Sequence, residues 1–349
     1  MKVNFVSEKP FSYRWKLSEI ESFSKFNGKK VFSCFACGGG STMGYKLAGY
    51  DVLGACEIDP KIAAVYKANH NPKYLFIEDI RKFRIREDLP EELFDLDILD
   101  GSPPCTTFSM SGQREKTWGV KKKFAEGQTE QILDDLYFEF ILLAKKLQPK
   151  FCITENVTGL IKGNAKQYVN KIITEFYEAG FDCKLFVLNS RNMGVPQSRE
   201  RVFILAKRKD QKVKWPSLNF SEKDIPFSEI DDGNIKRVML KNNSITYNLW
   251  RGTKSGNYFS KSIAYEGSGF SHYRVNFNKV LCCLTNQSRF YHPSTPGLLS
   301  KREFCLASSF PNDFNFLKTS FRFICGMSVP PVMMAQIARV CKKTWWPNE

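Results

Sequence analysis

Lys30-Val-Phe-Ser-Cys-Phe-Ala-Cys37-Gly-Gly-Gly-Ser41, continued through Thr42 to Ala48, Gly49 and Asp51-Val-Leu-Gly-Ala-Cys56-Glu57, sets the architecture of this chain. The run Lys30 to Ala36 reads as a strand that breaks into three glycines. Thr42 to Ala48 has a short helical pattern stopped by Gly49, and Asp51 to Cys56 reads as a second strand. Asp59-Pro60 then opens another helix. Strand, glycine loop, helix, strand and acid thus fall within about 27 residues, Val31 to Glu57. That order suits a nucleotide-type cofactor, because glycines let backbone approach a ligand and an acid at the next strand tip accepts from ribose hydroxyls. A glycine turn without a ligand reads the same way until Glu57 is added. A third short strand, Tyr74 to Ile77, ends in Glu78-Asp79-Ile80, where a further acid can face an adenine amine.

Outward from this unit, an apolar strand expected at Phe94 to Leu99 runs through Asp97-Ile-Leu-Asp100 into Gly101-Ser-Pro-Pro-Cys105. Two prolines fix φ and present Cys105 at a defined angle. A thiol at a strand's carboxyl end is a nucleophile if neighbouring positive charge lowers its pKa, and an inert packed cysteine otherwise. Thr106 to Gln128 is too long for a simple connector and holds Gln113, Arg114, Lys116, Trp118 and Lys121 to Lys123, which suits a lid over nucleic acid. A helix is expected over Glu130 to Leu147, then a strand Phe151 to Thr154 ending in Glu155-Asn156-Val157. Helix 165–179 and strand 181–188 lead to Gln197-Ser-Arg199-Glu-Arg201, whose two arginines share one face of an extended segment.

Over 349 residues, 52 Lys+Arg against 36 Asp+Glu give a net charge of +16, which favours a polyanionic partner. Eleven scattered cysteines fit free thiols in a reducing cytoplasm. Cys34-Phe-Ala-Cys37 lacks a second pair at ligand spacing, so no metal is expected. No run approaching a membrane span and no signal core are expected. From about 207 the alternating rhythm stops. Between Gly233 and Val280 lie eight Lys/Arg and one acid, Glu266, interleaved with aromatics. Such sequence suits groove readout, with Arg251 and Lys254 as candidate DNA contacts; a small β-rich insertion with a solvated face is the bland alternative.

Taken together, the chain resembles the DNA (cytosine-5)-methyltransferase family from about Val31 to Val340. Phe35 to Gly40 is similar to its S-adenosylmethionine motif, Glu57 to its ribose acid, and Asp79 to its adenine-contacting acid. Pro104-Cys105 resembles the nucleophile motif, Glu155-Asn156-Val157 the Glu-Asn-Val motif, and Gln197 to Arg201 the Gln-x-Arg-x-Arg motif. Gly326 to Val329 resembles the closing Gly-Asn-Ser-Val motif. Two departures stand out: Cys37 replaces the loop's first glycine, with Gly38 expected to supply the turn, and Met327 replaces Asn. The resemblance implies an α/β, Rossmann-like S-adenosylmethionine-dependent fold (1–206 and 305–349) and a smaller β-rich target-recognition domain (207–304). It implies Cys105, Glu155, Arg199 and Arg201 as catalytic residues. Phe35, Ala36, Cys37, Gly38, Gly39, Gly40, Glu57, Ile58, Asp79, Ile80, Pro103, Ser328 and Val329 would bind the cofactor. Gln113, Arg114, Trp118, Arg251 and Lys254 would meet DNA. The implied activity is methyl transfer to C5 of a flipped-out cytosine in a specific duplex sequence, by a cytoplasmic monomer protecting host DNA beside a restriction endonuclease. Methylation of tRNA cytosine and a catalytically silent DNA-binding member are the rivals. A nicotinamide dehydrogenase would leave Cys105 and Glu155 without a role.

Overall fold

The computed structural model describes residues 11–20, 27–104, 135–163, 165–233, 236–261 and 271–347. Cys105, Gln113, Arg114, Trp118 and the remainder of the expected lid lie outside the described residues. Side chains along a strand alternate between faces, and here both faces are apolar. Val31 of β1 (Lys30–Cys34), Ile98 of β4 (Ile98–Gly101), Phe151 of β5 (Phe151–Val157) and Phe203 of β7 (Glu200–Arg208) pack to one side. Their neighbours Phe32, Leu99, Cys152 and Ile204 pack to the other. A sheet buried on both faces must be covered by helices, which is the logic of parallel α/β folds.

With β2 (Asp51–Cys56), β3 (Tyr74–Phe76) and β6 (Phe181–Asn189), the sheet has seven strands in the order β3-β2-β1-β4-β5-β7-β6. β1 to β5 pair in parallel, whereas β7 runs antiparallel to both neighbours. Helices α1 (Gly40–Leu47), α2 (Pro60–His70), α3 (Ile80–Ile85), α4 (Leu136–Leu147) and α5 (Ala165–Glu178) follow the strands in turn. Residues of α3, α4 and α5 cover one face, and α1 with the C-terminal helix covers the other. The strand at the Pro-Pro loop starts later than expected, at Ile98, because Glu91–Phe94 forms a 3-10 turn.

The region 207–304 contains α6 (Ile245–Gly252) and three short strands, β8 (Asn257–Tyr258), β9 (His272–Arg274) and β10 (Arg289–Tyr291). Side chains rather than strand ladders hold it. Arg274 lies 4.3 Å from the Trp250 ring centroid and donates to the carbonyls of Trp250, Thr253 and Pro293. Arg237 pairs with Asp231 and with Glu303 of α7 (Lys301–Ala307), and His292 joins them in one network that is buried except for the partly exposed Asp231. Asp231, His292 and Glu303 bring ligand atoms within 4.8 Å of one another, but the Arg237 guanidinium already pairs with both carboxylates. The region also shares a core with the rest of the chain, as Phe227, Leu284 and Phe290 join Met43, Phe304 and Ile324.

The chain closes with α8 (Phe321–Met327) and α9 (Pro331–Trp345), the latter started by a proline at its first turn. Contrary to the expectation that no run is long enough, Phe321–Trp345 meets the length and composition of a membrane span. It is broken at Ser328–Pro330, and 83% of its apolar window is buried inside the protein. Trp345 stacks on Phe151 at 3.8 Å, fixing α9 to the sheet.

Candidate active site

Strand register places the motifs in one row. Cys34 pairs with Cys56 on one side and Gly101 on the other, and Gly101 pairs with Thr154. Glu57, Phe35 and Ser102, which follow, therefore leave the sheet along the same carboxyl edge, and Glu155, still paired within β5, lies in the same row. Between β1 and β4 the strand order reverses, the position where open α/β sheets take their ligands.

At that edge the glycine loop is tightly enclosed. Phe35 (φ 55), Cys37 (φ 48) and Gly39 (φ 85) are all left-handed, so the turn expected from Gly38 is made by Cys37 and Gly39 instead. A Cβ on Gly39 would lie 2.1 Å from His70 Nε2, and one on Gly40 would lie 2.2 Å from the Val329 carbonyl. These glycines are demanded by protein neighbours as well as by any ligand. His70 lies 3.0 Å from the Gly38 carbonyl, and burial lowers its pKa to about 3, so the ring is neutral. Burial pushes the Cys37 thiol up to about 12, with Glu57 adding to the shift. The substituted cysteine is thus a protonated, packed thiol.

Glu57 is buried and holds the loop from below. One oxygen accepts the Cys37 amide at 2.9 Å and the other the Asp59 amide at 3.1 Å. Burial raises its pKa above the usual carboxylate range, while those amides pull the other way. Asp79 caps α3 by accepting the Arg81 amide and pairs with that side chain at 2.9 Å. Ser328 and Val329 pack against Gly40, so the closing motif meets the first one. Ala36, Ile58 and Ile80 occupy the same loop and helix starts.

The Glu-Asn-Val motif completes β5 rather than following it. Opposite it, Val157 pairs with Arg201 and Glu155 with Phe203, so Glu155 and Arg201 are diagonal neighbours on one face. Arg201 Nε lies 2.9 Å from Glu155 Oε1, both largely buried. Asn156 donates to the Pro103 carbonyl at 3.1 Å, tying this strand to the Pro-Pro segment that precedes Cys105. Arg199, 3% exposed, donates to the carbonyls of Leu284 and Gly326 at 3.0 Å each. It therefore clamps two later segments onto β7. Gln197 assists by accepting the Leu284 amide and donating to the Ala307 carbonyl.

The sequence reading missed Cys283. Its sulfur sits 3.8 Å from Arg199 and 3.9 Å from Arg201. It also missed Asp100, which is buried under the loop and accepts from Ser33 and Tyr45. Neither had a local signal, because their partners lie far away in sequence. Arg251 and Lys254 stand exposed on the last turn of α6 and just beyond it, away from this edge in sequence.

An open α/β sheet with a glycine loop and acids at consecutive strand tips, and a Glu–Arg pair beside a Pro-Pro turn, defines a nucleotide-cofactor-dependent group-transfer enzyme. Residues 29–343 match the family model for C-5 cytosine-specific DNA methylases, and the chain belongs to that family. Its members transfer a methyl group from S-adenosylmethionine to C5 of cytosine in DNA, and this chain is such an enzyme. The type II methyltransferase M.FnuDI of Fusobacterium nucleatum is 29% identical over 350 residues, covering 90% of this chain and 94% of that protein. M.NgoPII of Neisseria gonorrhoeae is 36% identical over 190 residues, which span 54% of this chain and 51%, about half, of that protein. Among solved structures, a prophage-encoded chain from Escherichia coli described as a DNA modification methyltransferase has a TM-score of 0.70 at 20% identity, covering 92% of this chain and 100% of its own. A variant of Spodoptera frugiperda DNMT2 has a TM-score of 0.63 at 15% identity, covering 90% and 99%. At these identities the structural likeness establishes the fold.

The residues present fit S-adenosylmethionine. Glu57 and Asp79 supply acids at two adjacent strand tips, and the buried Ser328 hydroxyl has no hydrogen-bond partner among the described residues.

Proposed function

We propose that this chain methylates one cytosine within a specific duplex DNA sequence, using Cys105 as nucleophile and Glu155 and Arg201 to hold the base. The observation that carries this reading is the Glu155–Arg201 pair at 2.9 Å, joined through Asn156 to Pro103, which precedes Cys105 by two positions. S-adenosylmethionine supplies an electrophilic methyl group on a sulfonium. Cytosine C5 is a weak nucleophile toward it, and a Cys105 thiolate adding to C6 makes C5 electron-rich. Negative charge then develops toward N3, where Glu155 shares a proton and Arg201 keeps that carboxylate oriented and meets O2. C5 takes the methyl as its bond to the sulfonium sulfur breaks, leaving S-adenosylhomocysteine; a base then removes the C5 proton, and the C6–sulfur bond breaks to return the thiolate.

Because C6 is closed off in a stacked duplex, the cytosine leaves the helix. Glu57 receives the ribose hydroxyls, Asp79 the adenine amine, and the loop Phe35 to Gly40 with Ser328 and Val329 the remainder. Arg199 serves by clamping the segments at Leu284 and Gly326. The segment 207–304 acts as the target-recognition domain, and its exposed Arg251 and Lys254 support that role; Gln113, Arg114 and Trp118 belong instead to the expected lid 106–128, where their chemistry suits contact with DNA. The type II names of the relatives support protection of host DNA alongside a cognate endonuclease; the same reading takes the chain as a cytoplasmic monomer.

The test is transfer of labelled methyl to mixed-sequence duplex DNA and to tRNA, with Cys105→Ala beside the native chain. Label confined to DNA and lost in the variant is expected. Label in tRNA alone would transfer the reading to RNA, and label retained by the variant would remove Cys105 as nucleophile.

A further inference from the structure

Arg199 is a buried cation whose hydrogen-bond partners among the described residues are two carbonyls and one sulfur; Glu155 acts on it only at longer range, and its Nε has no acceptor among those residues. Buried charges require counter-charge or they cost heavily. Its neighbour Arg201 is already offset by Glu155. The atom lying between the two guanidiniums is Cys283 Sγ, 3.8 Å from Arg199 and 3.9 Å from Arg201. Arg201 is then held on three sides: Nε by Glu155, one terminal nitrogen by the Glu200 carbonyl at 2.7 Å, and the other by Cys283.

We propose that Cys283 is a positioning residue of the active site, its sulfur acting as the anion that pairs with Arg199 and Arg201 and holds Arg201 in register with Glu155. This rests on the catalytic reading of Glu155 and Arg201. A carboxylate there would bind both guanidiniums rigidly, whereas a large, polarisable sulfur satisfies them at longer range. The other titratable groups nearby among the described residues include Glu155, paired with Arg201, and Cys282 and Tyr258, the Tyr258 hydroxyl donating to Cys282 at 3.7 Å. Burial pushes the Cys283 thiol up, and the two arginines outweigh it, leaving the thiol below its ordinary value. Burial dominates at Cys282 and raises that thiol to about 11, so the two adjacent thiols are shifted in opposite directions. The competing state is a neutral Cys283 thiol donating to the Leu284 carbonyl, 3.7 Å away.

Two measurements on the full chain decide between these states. Iodoacetamide forms a carbon–sulfur bond with a thiolate and expels iodide, so its rate against pH reports the thiolate fraction. Fragment-ion mass spectrometry separates Cys283 from Cys282. The expected midpoint at Cys283 lies below the ordinary thiol value of about 8.5, with Cys282 silent at neutral pH. The second measurement is turnover: Cys283→Ser should lose about tenfold or more in kcat with KM for S-adenosylmethionine unchanged, as misplacement of a catalytic group predicts. Cys283→Asp, which restores an anion, should recover part of that loss. A Cys283 midpoint at or above the ordinary value overturns the proposal, and so does full turnover in Cys283→Ser. Normal turnover in Glu155→Gln would remove the catalytic reading while leaving the alkylation result standing. The alkylation measurement on the native chain stands even if Cys283→Ser does not fold.

Discussion

Asn156 donates its side-chain amide to the Pro103 carbonyl at 3.1 Å, so the end of β5 holds the turn that leads to Cys105. Pro103 and Pro104 cannot donate backbone hydrogen bonds of their own. Asn156→Ala leaves a buried carbonyl unpaired, which costs about 1–3 kcal/mol. The turn then loses its anchor, and kcat should fall by about 10–100-fold from misplacement of the following residue. Binding of S-adenosylmethionine, measured by calorimetry, should hardly change. Native kcat in this variant would show that the turn is held elsewhere.

How far such contacts could be read from sequence depended on distance along the chain. The unit from Lys30 to Glu57 was legible because strand, loop, helix and acid are local neighbours, and its strands fall where expected. The Glu155–Arg201 pairing was half legible, since each motif announces itself but the antiparallel register that makes them diagonal does not. Cys283 carries no pattern at all; its partners are 84 and 82 residues away. Positive charge misled in part. Of the basic residues between Gly233 and Val280, Arg237 and Arg274 turn inward to hold carboxylates and carbonyls rather than phosphates. The glycines misled similarly, being filled against His70 and Val329 rather than left open.

Asp100 should make stability pH-dependent. Burial raises its pKa to about 7 from 3.8, with Glu155 adding slightly, against the hydrogen bonds from Ser33 and Tyr45. Below the unfolded value both states are protonated and the residue has no linkage effect. Between about 4 and 7 the folded protein keeps a proton that the unfolded chain has lost, so stability falls as pH rises. Above 7 the whole cost remains, on the order of a few kcal/mol. Asp100→Asn keeps the shape without the charge. It should melt at higher temperature than the native chain at pH 8 and close to it at pH 4. A constant difference across that range would mean that Asp100 does not titrate there.

The loop offers two opposed substitutions. Gly39→Ala would place a Cβ at φ 85 within 2.1 Å of His70, so it must displace that ring or deform the loop. Loss of several degrees in Tm and of cofactor binding is expected. Cys37→Gly works in the other direction, because a non-glycine residue at φ 48 costs about 1–2 kcal/mol in backbone sterics. Added flexibility of the unfolded chain takes back about 0.5–1 kcal/mol. The variant should therefore be as stable as the native chain or slightly more so, with S-adenosylmethionine bound at least as well. A Tm drop like that of Gly39→Ala would mean that Cys37 side-chain packing outweighs its backbone strain.

Arg251 and Lys254 are exposed at the end of α6, close to the Arg274–Trp250 stack that holds that helix but not part of it. Their replacement should therefore spare the fold. If each neutralises one phosphate, Arg251→Gln and Lys254→Gln should each lower the slope of log K against log salt by about 0.9. Binding would weaken for all sequences alike if the contacts are to phosphate. An arginine reading a guanine edge behaves differently: its loss costs about 1–3 kcal/mol at one base position and relaxes the preference there. Titrating both variants against cognate and scrambled duplexes at two salt concentrations separates these outcomes. Unchanged affinity and slope in both would place the DNA path on another face of the 207–304 segment.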